Sequence, residues 1–276
     1  MAKFTSCFFC ILLMMQSTIA HATENRSMLL TYDILSQGKD VGDVTTRISQ
    51  QENRHVIIER SHIKASGWLW KIDIVTVLSE EFENGNELTN ADGKTFEEGS
   101  AHWTKIKSQG KDFLMQYIKI PKPGPLEEKQ FSRLSFEADA KTSSNTEDIL
   151  SLSESIFVNT VERAEEYLVS KKSFDTTWNN LPFYIQQRSD SSIPQELKIL
   201  DTENLETGRF AVKDVGTETL MLGNEPITVR HLTFFNHKTD TSHIWVNADS
   251  DVLPYVVRHT GKDEDGVFEI VLKPRP

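Results

Sequence analysis

Three histidines, His231, His237 and His243, stand six residues apart, and His259 follows on the next stretch of β-type residues. An even spacing keeps side chains on one face of a strand, and imidazole is the commonest side-chain ligand for transition metals. Asn236 to Thr241 reads as a turn, which puts His237 at a hairpin tip and lets His231 and His243 face each other. With His259 they make a candidate two- or three-histidine metal site; the competing reading is that they are surface histidines on hairpins. Glu80, Glu81, Glu83, Glu97 and Glu98 could contain a carboxylate pair for glycoside hydrolysis, or form a solvated face. Asp249-Ser250-Asp251 and Asp263-Glu264-Asp265-Gly266 resemble calcium loops but lack the glutamate at position twelve that an EF-hand requires, so they read as turns. Ser-x-x-Lys occurs at Ser36, Ser61 and Ser108, twice in predicted turns and once in a strand, which argues against a serine nucleophile. Gly-x-Ser-x-Gly, His-Glu-x-x-His, Walker and Gly-x-Gly-x-x-Gly patterns are absent, so no catalytic residue and no cofactor is assigned.

Large aromatic residues offer a second chemistry, apolar binding. Trp68 and Trp70 are two apart and share a strand face, while Trp103, Tyr117 and Trp245, with Phe82, Phe96, Phe113 and Phe234, are spread over other strands. Inside a curved sheet Trp68, Trp70, Trp103, Tyr117 and Trp245 would line an apolar pocket; alternatively they fill a core.

The elements that must position these residues are mostly strands. Met28 to Leu35, Val41 to Ile48, His55 to Ile63, Trp70 to Phe82, Phe96 to Ile106 and Phe113 to Ile120 are rich in β-branched and aromatic residues, and many alternate in polarity. Gly38-Lys39-Asp40, Asn84-Gly85-Asn86, Asp92-Gly93 and Gly110-Lys111 read as the turns between them. Ser-Gln-Gly-Lys-Asp occurs at Ser36 to Asp40 and Ser108 to Asp112, echoed by Thr260 to Asp263, and reads as one turn sequence used at three hairpins. After the break at Pro121 to Pro125 the period changes. Ile149, Leu152, Ile156, Val161, Ala164 and Leu168 fall on one stripe, which predicts an amphipathic helix over residues 146–172. Strands return at Arg209 to Leu222, Ile227 to Phe235, His243 to Asn247, Val252 to His259 and Val267 to Lys273. The predicted fold is mainly β, an antiparallel meander curling into a barrel or half-barrel with one helical insertion.

Lys3, the apolar run Phe8 to Met15 and Ala20-His21-Ala22 together form a secretory signal, with cleavage expected after Ala22. Residues 23–276 are then one β-rich domain, with the helical insertion within about 146–190. No apolar run approaches the roughly 20 residues of a membrane-spanning helix. Cys7 and Cys10 both lie in the signal, which leaves the remainder without disulfides or thiol chemistry. The net charge of −11 becomes −12 when Lys3 is removed with the signal, and such a protein repels nucleic acid.

Leu30-Thr31-Tyr32-Asp33-Ile34 followed by Gly38-Lys39-Asp40-Val41-Gly42 resembles the "Tyr-x-Val … Gly-Lys-x-Ile-Gly" opening of an uncharacterised family of exported bacterial β-proteins. The C-terminal third extends the resemblance through Leu200-Asp201, Thr207-Gly208, the strand and turn from Val215-Gly216 to Gly223, Val229-Arg230-His231-Leu232, Ile244-Trp245-Val246, and Asp249-Ser250-Asp251 before Leu253-Pro254. Val246 departs from the family's usual tyrosine. The resemblance implies envelope location and a single β-rich domain, and it carries over no catalytic residue.

Together these readings favour a non-enzymatic periplasmic or secreted protein that binds a lipid or other apolar or amphipathic ligand, or a protein partner in envelope assembly. An envelope hydrolase using carboxylates or a histidine-bound metal is the enzymatic alternative, and an adaptor pairing through a sheet edge is the third.

Overall fold

The computed structural model describes residues 25–66, 71–97, 100–121, 163–188, 193–236, 241–263 and 266–274. Two-residue alternation dominates: Leu30, Tyr32 and Ile34 are buried while Thr31 and Asp33 between them are not, and Val44, Thr46 and Ile48 repeat the pattern on the next strand. The first run of strands is β1 (Arg26–Ser36), β2 (Lys39–Gln51), β3 (Arg54–Ser66), β4 (Lys71–Glu83), β5 (Glu87–Glu97), β6 (Ser100–Gln109), β7 (Asp112–Pro121) and β8 (Arg163–Ser170). The second is β9 (Thr176–Thr177), β10 (Glu196–Asp201), β11 (Glu206–Leu222), β12 (Glu225–Phe235), β13 (Thr241–Asn247), β14 (Val256–Asp263) and β15 (Gly266–Leu272), with the short helix α1 (Leu181–Gln186) between β9 and β10.

All fifteen described strands join one sheet in the order β8-β7-β6-β5-β4-β3-β2-β1-β15-β14-β13-β12-β11-β10-β9. Every pairing is antiparallel except β9 with β10. The first and last strands meet mid-sheet, where β1 pairs with both β2 and β15. Among the described residues the sheet has two ends, β8 and β9, so it curls like a barrel without closing.

How far it curls is shown by what the β9–β10 end touches. Leu200, Leu205 and Phe183 belong to the core cluster built on β1 to β7, with Ile57, Phe82, Leu88, Ile106 and Met115. Leu197, Ile199, Leu181, Tyr184 and Ile185 belong to a second cluster with Leu232, Phe234, Ile244 and Val246. Both faces of β10 are therefore buried, and β9, α1 and β10 form a wedge inside the roll. His55 of β3 sits between the rings of Phe82 and Phe183, at 4.9 and 3.9 Å, and its Nε2 donates to Asn180 Oδ1 at 2.7 Å. Phe82 and Phe234 are at most 1% exposed, and burial of each such ring contributes about 2–3 kcal/mol.

Three sequence expectations change. Residues 163–170 form β8 and 171–173 a 3-10 turn, against the helix expected through 172; residues 146–162 lie outside the described residues. Ala164 and Leu168 keep the four-residue step, but residues 164–168 are all exposed, so no buried helical stripe forms; the edge of β7 instead supplies a ladder of hydrogen bonds that an isolated helix lacks. The described helix is Leu181–Gln186, started by Pro182 in its first turn. Asp92-Gly93 lies inside β5, not in a turn. A Cβ on Gly93 would stand 2.5 Å from Thr104 Oγ1, so this glycine serves a close approach. The turn sequences at Gly38 and Gly110 do occupy hairpins, with φ of +76° and +62°, but Gly261 of the third echo lies within β14.

Gly42, the last residue of the N-terminal motif, faces Ile63 on β3, and a Cβ there would lie 2.0 Å from the His62 carbonyl oxygen. That oxygen is backbone and cannot swing away. Gly42→Ala is expected to destabilise the protein by about 2–3 kcal/mol, read as a lower urea midpoint; an unchanged midpoint would contradict the tight β2–β3 approach.

Candidate functional site

Strand alternation on β3 and β4 turns Glu59, Leu78 and Glu80 towards the interior, with Glu59 opposite Leu78 and Glu80 opposite Ile57. They form one wall of a cleft of about 180 Å³ whose other wall is the wedge: Trp178, Asn179, Asp201, Thr202 and Glu203. Asp201 shapes that wall by accepting the backbone N–H groups of Glu203 and Asn204 at 2.9 and 3.2 Å, an Asx turn that reverses the chain between β10 and β11.

Hydroxyl groups tie the wedge to the sheet. Thr177 Oγ1 donates to Glu80 Oε2 at 2.7 Å, and Thr202 Oγ1 donates to Glu80 Oε1. Thr76 and Thr95 donate to Glu203 Oε1 at 3.0 and 2.7 Å, and Thr104 donates to the Thr202 carbonyl at 2.9 Å. Four carboxylates thus converge on the cleft, and the residues lining it include no lysine or arginine. Burial pushes Glu80 up to about 7, helped by Asp201 and opposed by the two threonine bonds. Burial also raises Glu59 to about 7, with the charges of Glu80 and Glu203 adding and a Thr46 hydrogen bond opposing. Carboxyls that titrate near neutrality can donate a hydrogen bond as acids or hold a cation as carboxylates, and they can pass a proton to a cleft occupant.

The structure distributes the other candidates differently from the sequence expectation. Tyr117 faces the interior and stacks on His102 at 5.4 Å. Trp103 lies on the opposite face of its strand, with Lys94 and Lys105 nitrogens 5.1 and 3.8 Å from its ring. Trp245 also faces away from the core, since its neighbours Ile244 and Val246 are the buried ones. Trp68, Trp70 and His237 lie outside the described residues. The described aromatics therefore do not converge on one apolar pocket. His231 and His243 do meet, but His259 pairs with Ile244 on the core face, near Trp178 and Phe268, where burial pushes it down to about 4. Among the described residues no group of three or more His, Cys, Asp or Glu side chains is arranged to hold a metal.

Of the five glutamates singled out by sequence, Glu80 enters the cleft, while Glu81 pairs with Arg54 at 2.8 Å on the other face. Glu59, Asp201 and Glu203 were missed. A signal for Glu59 and Glu80 exists: each falls in the apolar phase of its strand, His55-Ile57-Glu59 and Thr76-Leu78-Glu80-Phe82. An acid in that phase must be buried or line a cleft.

This rolled sheet has a counterpart among solved structures. A β-barrel-like protein of domain of unknown function DUF1849 from Brucella abortus superposes with a TM-score of 0.53 over 90% of this chain and 95% of that one. The two share a fold. Sequence identity is 6%, so the likeness carries no site residue across. No protein-family model matches this chain, and no curated protein does. Among the described residues no helix is long and apolar enough to cross a membrane.

Proposed function

We propose that this is an exported, non-enzymatic envelope protein that holds a small cationic ligand in the acidic cleft. The observation that carries the reading is the convergence of Glu59, Glu80, Asp201 and Glu203 on one cleft with no basic residue in its lining. Buried carboxylates without cationic partners are costly, and a protonated amine supplies the missing charge. The volume equals about six waters, which suits a compact amine and leaves little room for the lipid tail that the aromatic residues suggested. Export rests on the N-terminal signal pattern, and the periplasm is the proposed compartment.

Calorimetry with 1,4-diaminobutane tests the reading. Saturable binding near pH 7 is expected, with release of protons as Glu59 and Glu80 become fully ionised; Glu59→Gln should weaken it by about tenfold, roughly one lost charge-assisted contact. Absence of binding by this amine, together with no small molecule retained by the protein in native mass spectrometry, would overturn it.

A second reading, pairing with a partner through a sheet edge, is favoured by β8. It ends the strand order, and Ala164 to Leu168 are exposed in succession, Leu168 at 62%. Such an edge is a template for strand addition. A photo-crosslinking residue at Tyr167 should capture the partner in the envelope; capture equal to that from a surface position remote from β8 would remove the support.

A further inference from the structure

On the face of the sheet opposite the core, β12 and β13 set His231 against Trp245 and Thr233 against His243. His231 Nε2 and His243 Nδ1 lie 3.0 Å apart. Two imidazole nitrogens bound to one ion at the usual length of about 2.0–2.1 Å stand roughly 2.9–3.4 Å apart for cis-octahedral or tetrahedral angles. The pair is thus spaced for a shared ion without movement of either strand.

The surroundings orient the pair. His231 Nδ1 is 3.3 Å from Glu218 Oε1, and a proton held on Nδ1 by that neighbouring charge leaves the Nε2 lone pair directed at His243. A carboxylate on the far nitrogen is the usual support of a metal-binding histidine. Trp245 stacks on His231 at 4.3 Å and 16°, which fixes the ring plane. Glu218 also accepts the Trp245 Nε1 hydrogen. The other charged groups nearby are Asp214, Arg258 and Glu269; Arg258 lies 5.3 Å from the Trp245 ring, and its charge is met by Glu269 at 2.6 Å. Desolvation and the neighbouring His243 lower His231 below the ordinary histidine range, against the opposing pull of Glu218 and Asp214.

We propose that His231 and His243 form a two-histidine site for a divalent transition-metal ion, Cu²⁺ in preference to Zn²⁺, with water completing the coordination. It is separate from the acidic cleft and independent of the function proposed for that cleft. With the His231 proton on Nδ1, the single proton between the rings belongs to His243 Nδ1. Binding moves it to His243 Nε2 by tautomerisation, which frees both facing lone pairs. His259 takes no part, because it points to the other side of the sheet. The preference for copper follows the general stability order of divalent ions at nitrogen ligands.

Untagged, chelator-treated full-length mature protein is titrated with Cu²⁺ and, separately, Zn²⁺ at pH 7.4 by calorimetry and tryptophan emission. One equivalent of Cu²⁺ should bind with a Kd in the range of about 1–10 μM and quench Trp245, which touches a ligand ring. His231→Ala and His243→Ala should each weaken Cu²⁺ binding at least tenfold while keeping the metal-free thermal midpoint. Glu218→Gln should weaken it by about tenfold through loss of ring orientation. Trp245→Phe should keep calorimetric binding but lose the quench, a result that a folding defect would not produce. Unchanged Cu²⁺ affinity in the His231→Ala/His243→Ala double variant, Zn²⁺ binding tighter than Cu²⁺, or no saturable Cu²⁺ binding would each overturn the proposal.

Discussion

At pH 8 Glu80→Gln is expected to be more stable than the parent protein by about 3 kcal/mol, and the difference should nearly vanish by pH 4. Glu80 is fully buried, and its folded-state pKa is raised to about 7 from 4.5. Between those values the folded protein keeps a proton that the unfolded chain releases. Stability from this group is therefore complete below pH 4.5, falls as the pH rises, and is lost above 7. Glutamine mimics the protonated acid, presenting one acceptor and one donor. Its carbonyl can accept from Thr177, whose oxygen already accepts the Asn180 N–H at 3.2 Å, while its amide donates to Thr202. The parent's own profile is muted because His55 and His259, both lowered to about 4 from 6.5, slope the other way. The folded state refuses a proton that the unfolded chain takes, so their contribution is present above 6.5 and lost as the pH falls to 4. The opposing slopes overlap from 4.5 to 6.5, and removing Glu80's share leaves Glu59 as the raised carboxyl set against the two histidines. Urea unfolding at pH 4, 6 and 8 reads this directly, and a Glu80→Gln variant less stable than the parent at pH 8 would reject the buried-acid account.

His55→Ala should cost about 4 kcal/mol at pH 7, combining loss of a ring packed between two others with an Asn180 acceptor left unpaired. His55 is 1% exposed, lies between Phe82 and Phe183, and bonds Asn180 at 2.7 Å. It holds the wedge against β3 and β4, so its loss should also loosen the cleft. At pH 4 the same substitution should cost only about 1 kcal/mol, because the parent has by then surrendered the stability tied to a neutral His55. Chemical denaturation at the two pH values separates the terms. A cost independent of pH would mean that His55 packs as a plain aromatic ring whose charge state is immaterial.

Particular residues show how much was legible. The strands β1 to β4 followed from alternation, because one-sided burial imposes a period of two that the sequence must carry. β5 was obscured: Asp92-Gly93 has turn composition, yet the glycine is there because Thr104 needs its space. β8 was read as helix because Ala164 and Leu168 continue a stripe of three- and four-residue steps, and the choice of strand was made by the open edge of β7. The cleft was half visible. Glu59 and Glu80 stand in the apolar phase of strands far apart from the turn that carries Asp201 and Glu203, and only the curl of the sheet brings that turn against them. Among the described aromatics, Trp103 and Trp245 part from Tyr117 for a related reason: strand parity, not residue type, sends them to the face opposite the core.

The sequence by itself determined a mostly β, acidic chain whose two cysteines both fall within the secretory signal pattern at its start, because period, composition and hydropathy are local properties. Tertiary structure decided which end of the sheet enters the roll, which acids face one another, and that His231 meets His243 while His259 does not. Those depend on register, curvature and the side of the sheet on which each residue falls, quantities set by pairing between distant segments and by the packing of the wedge.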